Sequence, residues 1–191
     1  MAGRGSRESV ADRRARRAEI DDPEVVLAAA LRFLEARSRS VAEVRRRLGF
    51  AGYRPDLVEG AIGRLSELGM LDDAEFARQW VESRDRAHPR GERALVMELR
   101  QKGIDAPTVA ATLALRRDAD AESGTVPAAD AAAAARLLAR HARALDRVAD
   151  PRVRRQKAYA LLARNGFDPE TCREAAAGVE GVDADGDVDA E

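Results

Sequence analysis

The sequence predicts an all-α protein made of three tandem three-helix repeats that form an elongated, curved array. Its 191 residues are 45% hydrophobic but only 4% aromatic, a composition from which packed helices close a core most easily. No segment shows the β-branched, alternating pattern of a strand. Signals for the start and the end of a helix recur at short intervals through the middle of the chain.

Helix boundaries are marked by capping residues and glycines. Asp22, Asp150 and Asp168 each precede a proline, which suits a cap followed by a first helical residue without an N–H. Ser40 and Glu43 have the spacing of a capping box. Four glycines follow apolar runs and suit left-handed helix ends: Gly49, Gly69, Gly103 and Gly166. The marks predict nine helices, over residues 22–37, 40–48, 55–68, 72–86, 90–102, 105–117, 127–145, 150–165 and 168–179.

The predicted helices repeat in groups of three. A shift of 51 residues superposes Val44 on Leu95, and a shift of 63 residues superposes Gly103 on Gly166. A unit of about 50 residues has a marginal core on its own, so we expect neighbouring repeats to stack and stabilise one another. An array of this kind would bind along an extended partner.

The chain divides into six segments. We expect a disordered basic tail (1–21), a first repeat (22–70), a second repeat (71–117), a linker (118–126), a third repeat (127–179) and a disordered acidic tail (180–191). The net charge of −1 is the sum of a basic N-terminal segment, an acidic C-terminal segment and the middle of the chain. Residues 1–19 carry six arginines and three acids, whereas residues 180–191 carry six acids and no base.

The sequence lacks the residues that several classes of function require. The single cysteine, Cys172, cannot form an internal disulfide, aligns with the core residue Val109 and indicates a reducing compartment. The two histidines, His88 and His141, show no metal-ligand spacing, and no glycine-rich phosphate loop follows a strand. No run approaches the roughly 20 apolar residues of a membrane span. We expect a cytoplasmic monomer without catalytic residue, cofactor or metal.

Positive charge on the second helix of each repeat is the chemical signal that remains. Nearly all of it is carried by arginine, whose planar guanidinium suits carboxylates and phosphates. We predict a basic row that contacts a phosphate backbone or an acidic protein groove. The candidate residues are Arg45, Arg46, Arg47, Arg90, Arg93, Arg100, Lys102, Arg154, Arg155, Lys157 and Arg164. The alternative is a solvated helix face with ion pairs at i, i+4 spacing, such as Glu43 with Arg47.

Two linked motifs lie in the second repeat. Residues 68–77 read Leu-Gly-Met-Leu-Asp-Asp-Ala-Glu-Phe-Ala, and residues 98–104 read Glu-Leu-Arg-Gln-Lys-Gly-Ile, with Arg84 between them. In the first repeat, residues 40–48 read Ser-Val-Ala-Glu-Val-Arg-Arg-Arg-Leu. Together with the threefold repeat, these motifs closely resemble the RecX family, bacterial regulators of the RecA recombinase, over about residues 24 to 178.

The resemblance implies a chain of three three-helix repeats that binds RecA and lies along the groove of the RecA nucleoprotein filament. It further implies inhibition of RecA ATPase, strand exchange and co-protease activities in recombination and SOS repair, with weak direct DNA binding in some members. The alanine-rich helix over residues 130–143 and both tails depart from the family pattern.

Two functions from other classes stay open. A helical DNA-binding regulator could act without RecA, although no repeat has an obvious recognition helix with base-reading side chains near its N-terminus. An adaptor could assemble through the acidic tail, an interpretation that depends on the last dozen residues alone.

Overall fold

The computed structural model describes residues 9–122 and 129–179, without the side chains of residues 119–122. These residues form ten α-helices and no strand, which confirms the predicted all-α class. The helices are α1 (Val10–Ala18), α2 (Pro23–Leu34), α3 (Val41–Ala51), α4 (Pro55–Glu67), α5 (Asp73–Ala87), α6 (Glu92–Gln101), α7 (Ala106–Glu122), α8 (Ala129–Asp146), α9 (Pro151–Arg164) and α10 (Pro169–Ala177). Residues 1–8, 123–128 and 180–191, with the predicted acidic tail and parts of the basic tail and linker, lie outside the described residues.

Helix α1 shows that the prediction of a disordered tail is wrong for residues 10–18. Its start is a capping box in which Ser9 Oγ accepts a hydrogen bond from Asp12 N at 3.1 Å and an Asp12 carboxylate oxygen accepts one from Ser9 N at 3.2 Å. Arg17 donates to the Ala51 carbonyl oxygen at 3.4 Å. The helix buries no residue, and its arginine stems replace the apolar stripe that would have marked it in the sequence.

Helices α3 and α7 extend beyond their predicted ends. Helix α3 continues through Gly49 and ends at Gly52, whose φ of 102° is left-handed. The remaining glycines predicted to be left-handed do have positive φ, namely Gly69, Gly103 and Gly166. Helix α7 continues to Glu122, so residues 118–122 are helical and not part of a linker. This polar, alanine-containing run holds no helix breaker before Gly124.

The described residues form two compact units, the first within residues 9–77 and 100–108 and the second within residues 78–99, 109–122 and 129–179. In the first unit, α2, α3 and α4 pack around one core. Its buried residues are Val26, Ala30, Val44, Leu48, Val58, Ala61, Ile62, Leu65 and Leu71. Val44 and Leu48 belong to the apolar stripe that repeats along the sequence, so the repeat pattern identifies core positions.

In the second unit, α8, α9 and α10 enclose a core built largely from small residues. Its buried residues are Ala133, Ala134, Leu137, Leu138, Leu145, Ala158, Leu162, Phe167, Cys172 and Ala176. Two alanines of the run in α8, Ala133 and Ala134, therefore lie in the core, and the prediction that Cys172 is a core residue is confirmed.

A buried ion-pair network also stabilises the second unit. The Arg116 side chain is only 7% exposed and donates two hydrogen bonds to the Asp85 carboxylate, both at 2.9 Å, and one to Asp130 Oδ1 at 2.7 Å. Burial works against the guanidinium charge, but the two carboxylates outweigh it and raise the Arg116 pKa above its ordinary value.

Each unit contains one copy of the same contact, in which a turn meets the start of a second helix. In the first unit, Ser40 Oγ donates a hydrogen bond to the Lys102 carbonyl oxygen at 2.6 Å. In the second unit, Gly91 N donates one to the Asn165 carbonyl oxygen at 3.0 Å. The 51-residue shift relates Ser40 to Gly91, and the 63-residue shift relates Lys102 to Asn165.

Small residues permit the close approach at both contacts. A Cβ on Gly103 would overlap the Cβ of Ala42, and a Cβ on Gly166 would overlap Ala94. At Gly91, an added Cβ would overlap backbone atoms of the turn after α9. The glycine in each turn therefore serves both the left-handed helix end and the packing of the next element.

Candidate partner-binding surfaces

Motif residues of the second repeat form a polar cluster inside the second unit. Glu98 Oε2 accepts hydrogen bonds from Trp80 Nε1 at 2.8 Å and from Arg84 Nε at 2.6 Å. The Arg84 guanidinium carbon lies 4.4 Å from the centroid of the Trp80 ring. Arg90 connects this cluster to the turn after α9, since its Nε lies 3.5 Å from Glu98 Oε1 and its Nη1 donates to Asn165 Oδ1 at 2.6 Å. Arg90, a predicted partner-binding residue, is therefore engaged within the fold.

The two aspartates of the first motif cap two different helices. Asp72 Oδ1 accepts a hydrogen bond from Ala74 N at 2.8 Å at the start of α5. Asp73 Oδ1 accepts one from Val41 N at 2.9 Å at the start of α3. Burial raises the pKa of the Asp73 carboxyl above its ordinary value. Both carboxylates thus hold backbone in place.

Glu43 is a buried carboxylate, 9% exposed, that two cations share. Its Oε1 lies 2.8 Å from Lys102 Nζ and 3.3 Å from Arg37 Nη2. Burial opposes ionisation of Glu43, but the hydrogen bonds and charges of Lys102 and Arg37 outweigh it and lower the Glu43 pKa. Lys102, also predicted to bind a partner, is therefore engaged in this internal pair.

Two more residues of the predicted basic row are engaged within the fold. Arg154 is buried and donates from Nε and Nη2 to the Val148 carbonyl oxygen at 3.0 and 2.9 Å. Arg154, also predicted to bind a partner, is therefore engaged within the fold, where it satisfies the carbonyl of the loop before α9. Arg45 is exposed but forms a two-pronged pair with Glu59, with distances of 2.6 and 2.7 Å.

The remaining residues of the predicted row are exposed. Arg47 lies beside the Phe33 ring, its guanidinium carbon 5.7 Å from the centroid. Six others form neither a hydrogen bond nor an ion pair with any described residue: Arg46, Arg93, Arg100, Arg155, Lys157 and Arg164. They lie on α3, α6 and α9, so the second helix of every repeat presents at least one exposed cation.

The first unit also contains a pocket of about 390 Å³ that α1, α2 and α3 form together. Five arginines line it: Arg13, Arg14, Arg17, Arg32 and Arg47. Three aromatic residues line it as well: Phe33, Phe50 and Tyr53. Among the described residues, no acidic side chain lines this pocket. In the sequence, α1 is indicated by the spacing of Ser9 and Asp12, which is that of a capping box. The arginines that α1 contributes to the pocket follow directly after this box.

Within residues 9–122 and 129–179, no group of His, Cys, Asp and Glu side chains could hold a metal ion. None of the helices described there has the length and apolar character needed to cross a membrane. Burial raises the pKa of the Cys172 thiol above its ordinary value, so the thiolate is disfavoured.

Comparison with family models identifies two of the three repeats. The model for the first three-helix domain of RecX matches residues 27–65, and the model for the second three-helix domain of RecX matches residues 72–113. Both matches fall inside the first and second predicted repeats.

The solved structures that the chain resembles have the same fold. The crystal structure of RecX from Lactobacillus salivarius has a TM-score of 0.68 at 21% identity, over 83% of this chain and 97% of that chain. A crystal structure of another regulatory protein RecX has a TM-score of 0.64 at 20% identity, over 87% of this chain and 74% of that chain.

Curated relatives are named regulatory protein RecX. The one from Mycobacteroides abscessus is 46% identical over 84 residues, which are 44% of this chain and 41% of that protein, so the match spans less than half of that relative. The one from Mycobacterium leprae is 37% identical over 142 residues, covering 74% of this chain and 77% of that protein. Because the latter match spans most of both proteins, the chain belongs to the RecX family of regulatory proteins.

Proposed function

We propose that this chain is a non-enzymatic cytoplasmic regulator that binds RecA and the RecA nucleoprotein filament. It inhibits RecA ATPase, strand exchange and co-protease activities in recombination and SOS repair. Membership of a family of regulatory proteins supports the proposal. The observation that carries it is the recurrence, on the second helices α3, α6 and α9, of exposed cations that form no hydrogen bond or ion pair with a described residue.

The exposed cations would act as several weak contacts used together. A guanidinium pairs well with the carboxylates of a protein groove and with DNA phosphates. One repeat would bind weakly, but linked repeats on a polymer of identical subunits raise the effective concentration of each contact. Bound in the groove, the repeats would hinder subunit motion, entry of duplex DNA or filament growth.

Charge reversal tests the contribution of the second helices. The variant Arg46→Glu, Arg100→Glu, Arg155→Glu changes one exposed side chain on each of α3, α6 and α9. We expect half-inhibition of the DNA-dependent RecA ATPase to require at least about tenfold more of this variant at matched salt, because three contacts become repulsive. Circular dichroism should show unchanged helical content.

A matched control reverses three exposed arginines elsewhere, Arg143→Glu, Arg147→Glu and Arg173→Glu. It changes the net charge by the same amount and should inhibit like the parent. Equal inhibition by both variants and the parent would show that the second helices do not carry the interaction.

Co-sedimentation tests the partner itself. The parent protein should pellet with RecA filaments on single-stranded DNA, with and without nucleotide. A protein that stays in the supernatant with filaments but binds duplex DNA tightly by itself would be the regulator that acts without RecA.

A further inference from the structure

Helix α1 forms a third copy of the contact between a turn and a preceding element. The 51-residue shift relates Ala51 to Lys102, so the turn after α3 is equivalent to the turn after α6. The Ala51 carbonyl oxygen accepts a hydrogen bond from Arg17 Nη1 at 3.4 Å, as the Lys102 carbonyl oxygen accepts one from Ser40 Oγ. Helix α1 therefore contacts the first turn at the same backbone group that the start of α3 contacts in the second turn.

The glycine of the first turn permits this approach. Gly52 has a φ of 102°, and its equivalents Gly103 and Gly166 both have a φ of 84°. A Cβ on Gly52 would overlap the backbone of Arg14, just as a Cβ on Gly103 would overlap Ala42. The same left-handed glycine thus leaves room for α1 in one turn and for the start of α3 in the other.

The position of α1 is that of a preceding repeat. In the other two copies, the element that reaches the turn is the start of the second helix of the repeat before it, α3 or α6. For the turn after α3, α1 takes this place and packs against α3. Repeat arrays end in capping elements with a polar outer face. Helix α1 has this character, because its arginines lie outside the core and it buries no residue.

The contact of α1 with the turn is weaker than its two equivalents. Its hydrogen bond of 3.4 Å is longer than those of 2.6 and 3.0 Å at the other turns. Ser40 and Gly91, which donate those two bonds, are buried, whereas Arg17 is partly exposed beside the Tyr53 ring. A helix of nine residues is marginal in water on its own. Folding of α1 is therefore coupled to its docking on the turn.

We propose that the turn after α3 is a docking surface for a helix, and that α1 of the same chain covers this surface as a detachable cap. A second copy of the chain could not dock the start of its α9 there. The 63-residue shift places Arg154 and Lys157 where α6 has Gly91 and Ala94, and these large side chains prevent the close approach. Helix α1 is the occupant that the chain itself supplies, and its detachment exposes the surface to a helix start with small residues.

Hydrogen–deuterium exchange of the full chain, measured by mass spectrometry, tests this proposal. The amides of residues 13–18 are protected only while α1 is helical. Gly52→Ala places a Cβ against Arg14 and should accelerate their exchange at least about tenfold. Gly69→Ala is the matched control, because Gly69 also has a positive φ, 67°, but no heavy atom lies within 4 Å of an added Cβ. It should leave the exchange of α1 within about twofold of the parent.

Arg17→Gln tests the contact from the other side and keeps the test decisive if Gly52→Ala loses helical content. It removes the hydrogen bond to Ala51 and should accelerate exchange of α1 about fivefold, whereas Arg143→Gln, the charge control on α8, should not. Equal acceleration in Gly52→Ala and Gly69→Ala would assign the effect to backbone strain and overturn the proposal. Unprotected α1 amides in the parent would overturn it as well. Exchange that slows as the protein concentration rises would place the contact between copies and overturn the assignment to the same chain.

Discussion

Gly91 lies where the turn after α9 approaches the start of α6 most closely. A Cβ on this residue would overlap the backbone of Gly166 and Phe167. Backbone atoms cannot rotate aside as the end of a flexible side chain can, so Gly91→Ala must displace the turn. The φ of Gly91 is outside the left-handed region, so alanine causes no backbone strain there. The expected effect is that the turn after α9 moves away from the start of α6.

The expected loss of stability for Gly91→Ala follows from three contributions. Displacing the turn breaks the hydrogen bond from Gly91 N to the Asn165 carbonyl oxygen, worth about 0.5–1.5 kcal/mol. Overpacking of a close contact costs about 1–3 kcal/mol. Alanine also restricts the unfolded chain, which stabilises the folded protein by about 0.4–1 kcal/mol. The net destabilisation should be about 2 kcal/mol, which lowers the Tm by roughly 4–8 °C.

Gly63→Ala is the matched control. Gly63 lies inside α4, and no heavy atom lies within 4 Å of a Cβ added there. The same substitution should therefore stabilise the protein by about 0.5–1 kcal/mol through helix propensity. Urea unfolding followed by far-ultraviolet circular dichroism measures both variants.

Trp80 provides a local readout, because it is the single tryptophan and its Nε1 donates to Glu98. Arg90 joins Glu98 to Asn165, so displacement of the turn should change native Trp80 emission in Gly91→Ala and leave it unchanged in Gly63→Ala. If Gly91→Ala were as stable as the control with parental Trp80 emission, the close approach of turn and helix would be refuted.

Three further predictions concern buried charge and the single thiol. Arg116→Met removes the buried cation that Asp85 and Asp130 share and leaves Asp85 only its longer pair with Arg136, at 3.7 Å. It should cost about 3 kcal/mol in urea unfolding, against less than about 1 kcal/mol for Arg117→Met, which removes a largely exposed pair; equal effects would contradict the network. Because the lowered Glu43 pKa contributes stability above the ordinary value of 4.5, Glu43→Gln should destabilise at neutral pH and lose this effect as the pH falls below about 4.5. An effect constant across pH would exclude the charge as its cause. Cys172 should react with a thiol reagent only as fast as the protein unfolds, and rapid native labelling would contradict its burial.

The helices and the repeat could be predicted because local signals and buried positions recur together. Val44 and Leu95, which superpose in sequence, are both fully buried. Asp150 and Asp168 cap α9 and α10 through hydrogen bonds to backbone N–H groups, as their position before proline indicates. These features depend on neighbours within a few residues, so sequence alone is sufficient for them.

Pairing of charges could not be predicted, because it depends on how the helices dock. The i, i+4 rule pairs Glu43 with Arg47, but the structure pairs Glu43 with Lys102, 59 residues away. Arg45 likewise pairs with Glu59 on another helix. A run of consecutive arginines therefore does not reveal which members are available to a partner.

The first and second repeats carry opposite charges at one equivalent position. The 51-residue shift relates Arg47 to Glu98, and the 47-residue shift relates Phe33 to Trp80. In the second repeat, the carboxylate of Glu98 accepts hydrogen bonds from the tryptophan and an arginine. In the first repeat, the guanidinium of Arg47 lies beside the ring in place of that carboxylate, as a second cation next to that of Arg39. Two guanidiniums therefore lie beside the Phe33 ring, whereas the equivalent ring of the second repeat lies beside a carboxylate and a guanidinium.

The substitution Arg47→Glu should therefore give the first repeat a carboxylate at the position that Glu98 occupies in the second repeat. The new carboxylate would lie near the Arg39 guanidinium, which stacks on the same Phe33 ring and has a buried Nε without a partner among the described residues. We expect a gain of up to about 1 kcal/mol in urea unfolding, because the new carboxylate would pair with a neighbouring guanidinium. Arg46→Glu, the adjacent exposed position, controls for net charge and should leave stability unchanged. If Arg47→Glu were no more stable than Arg46→Glu, the two guanidiniums beside the Phe33 ring would not limit the stability of the fold.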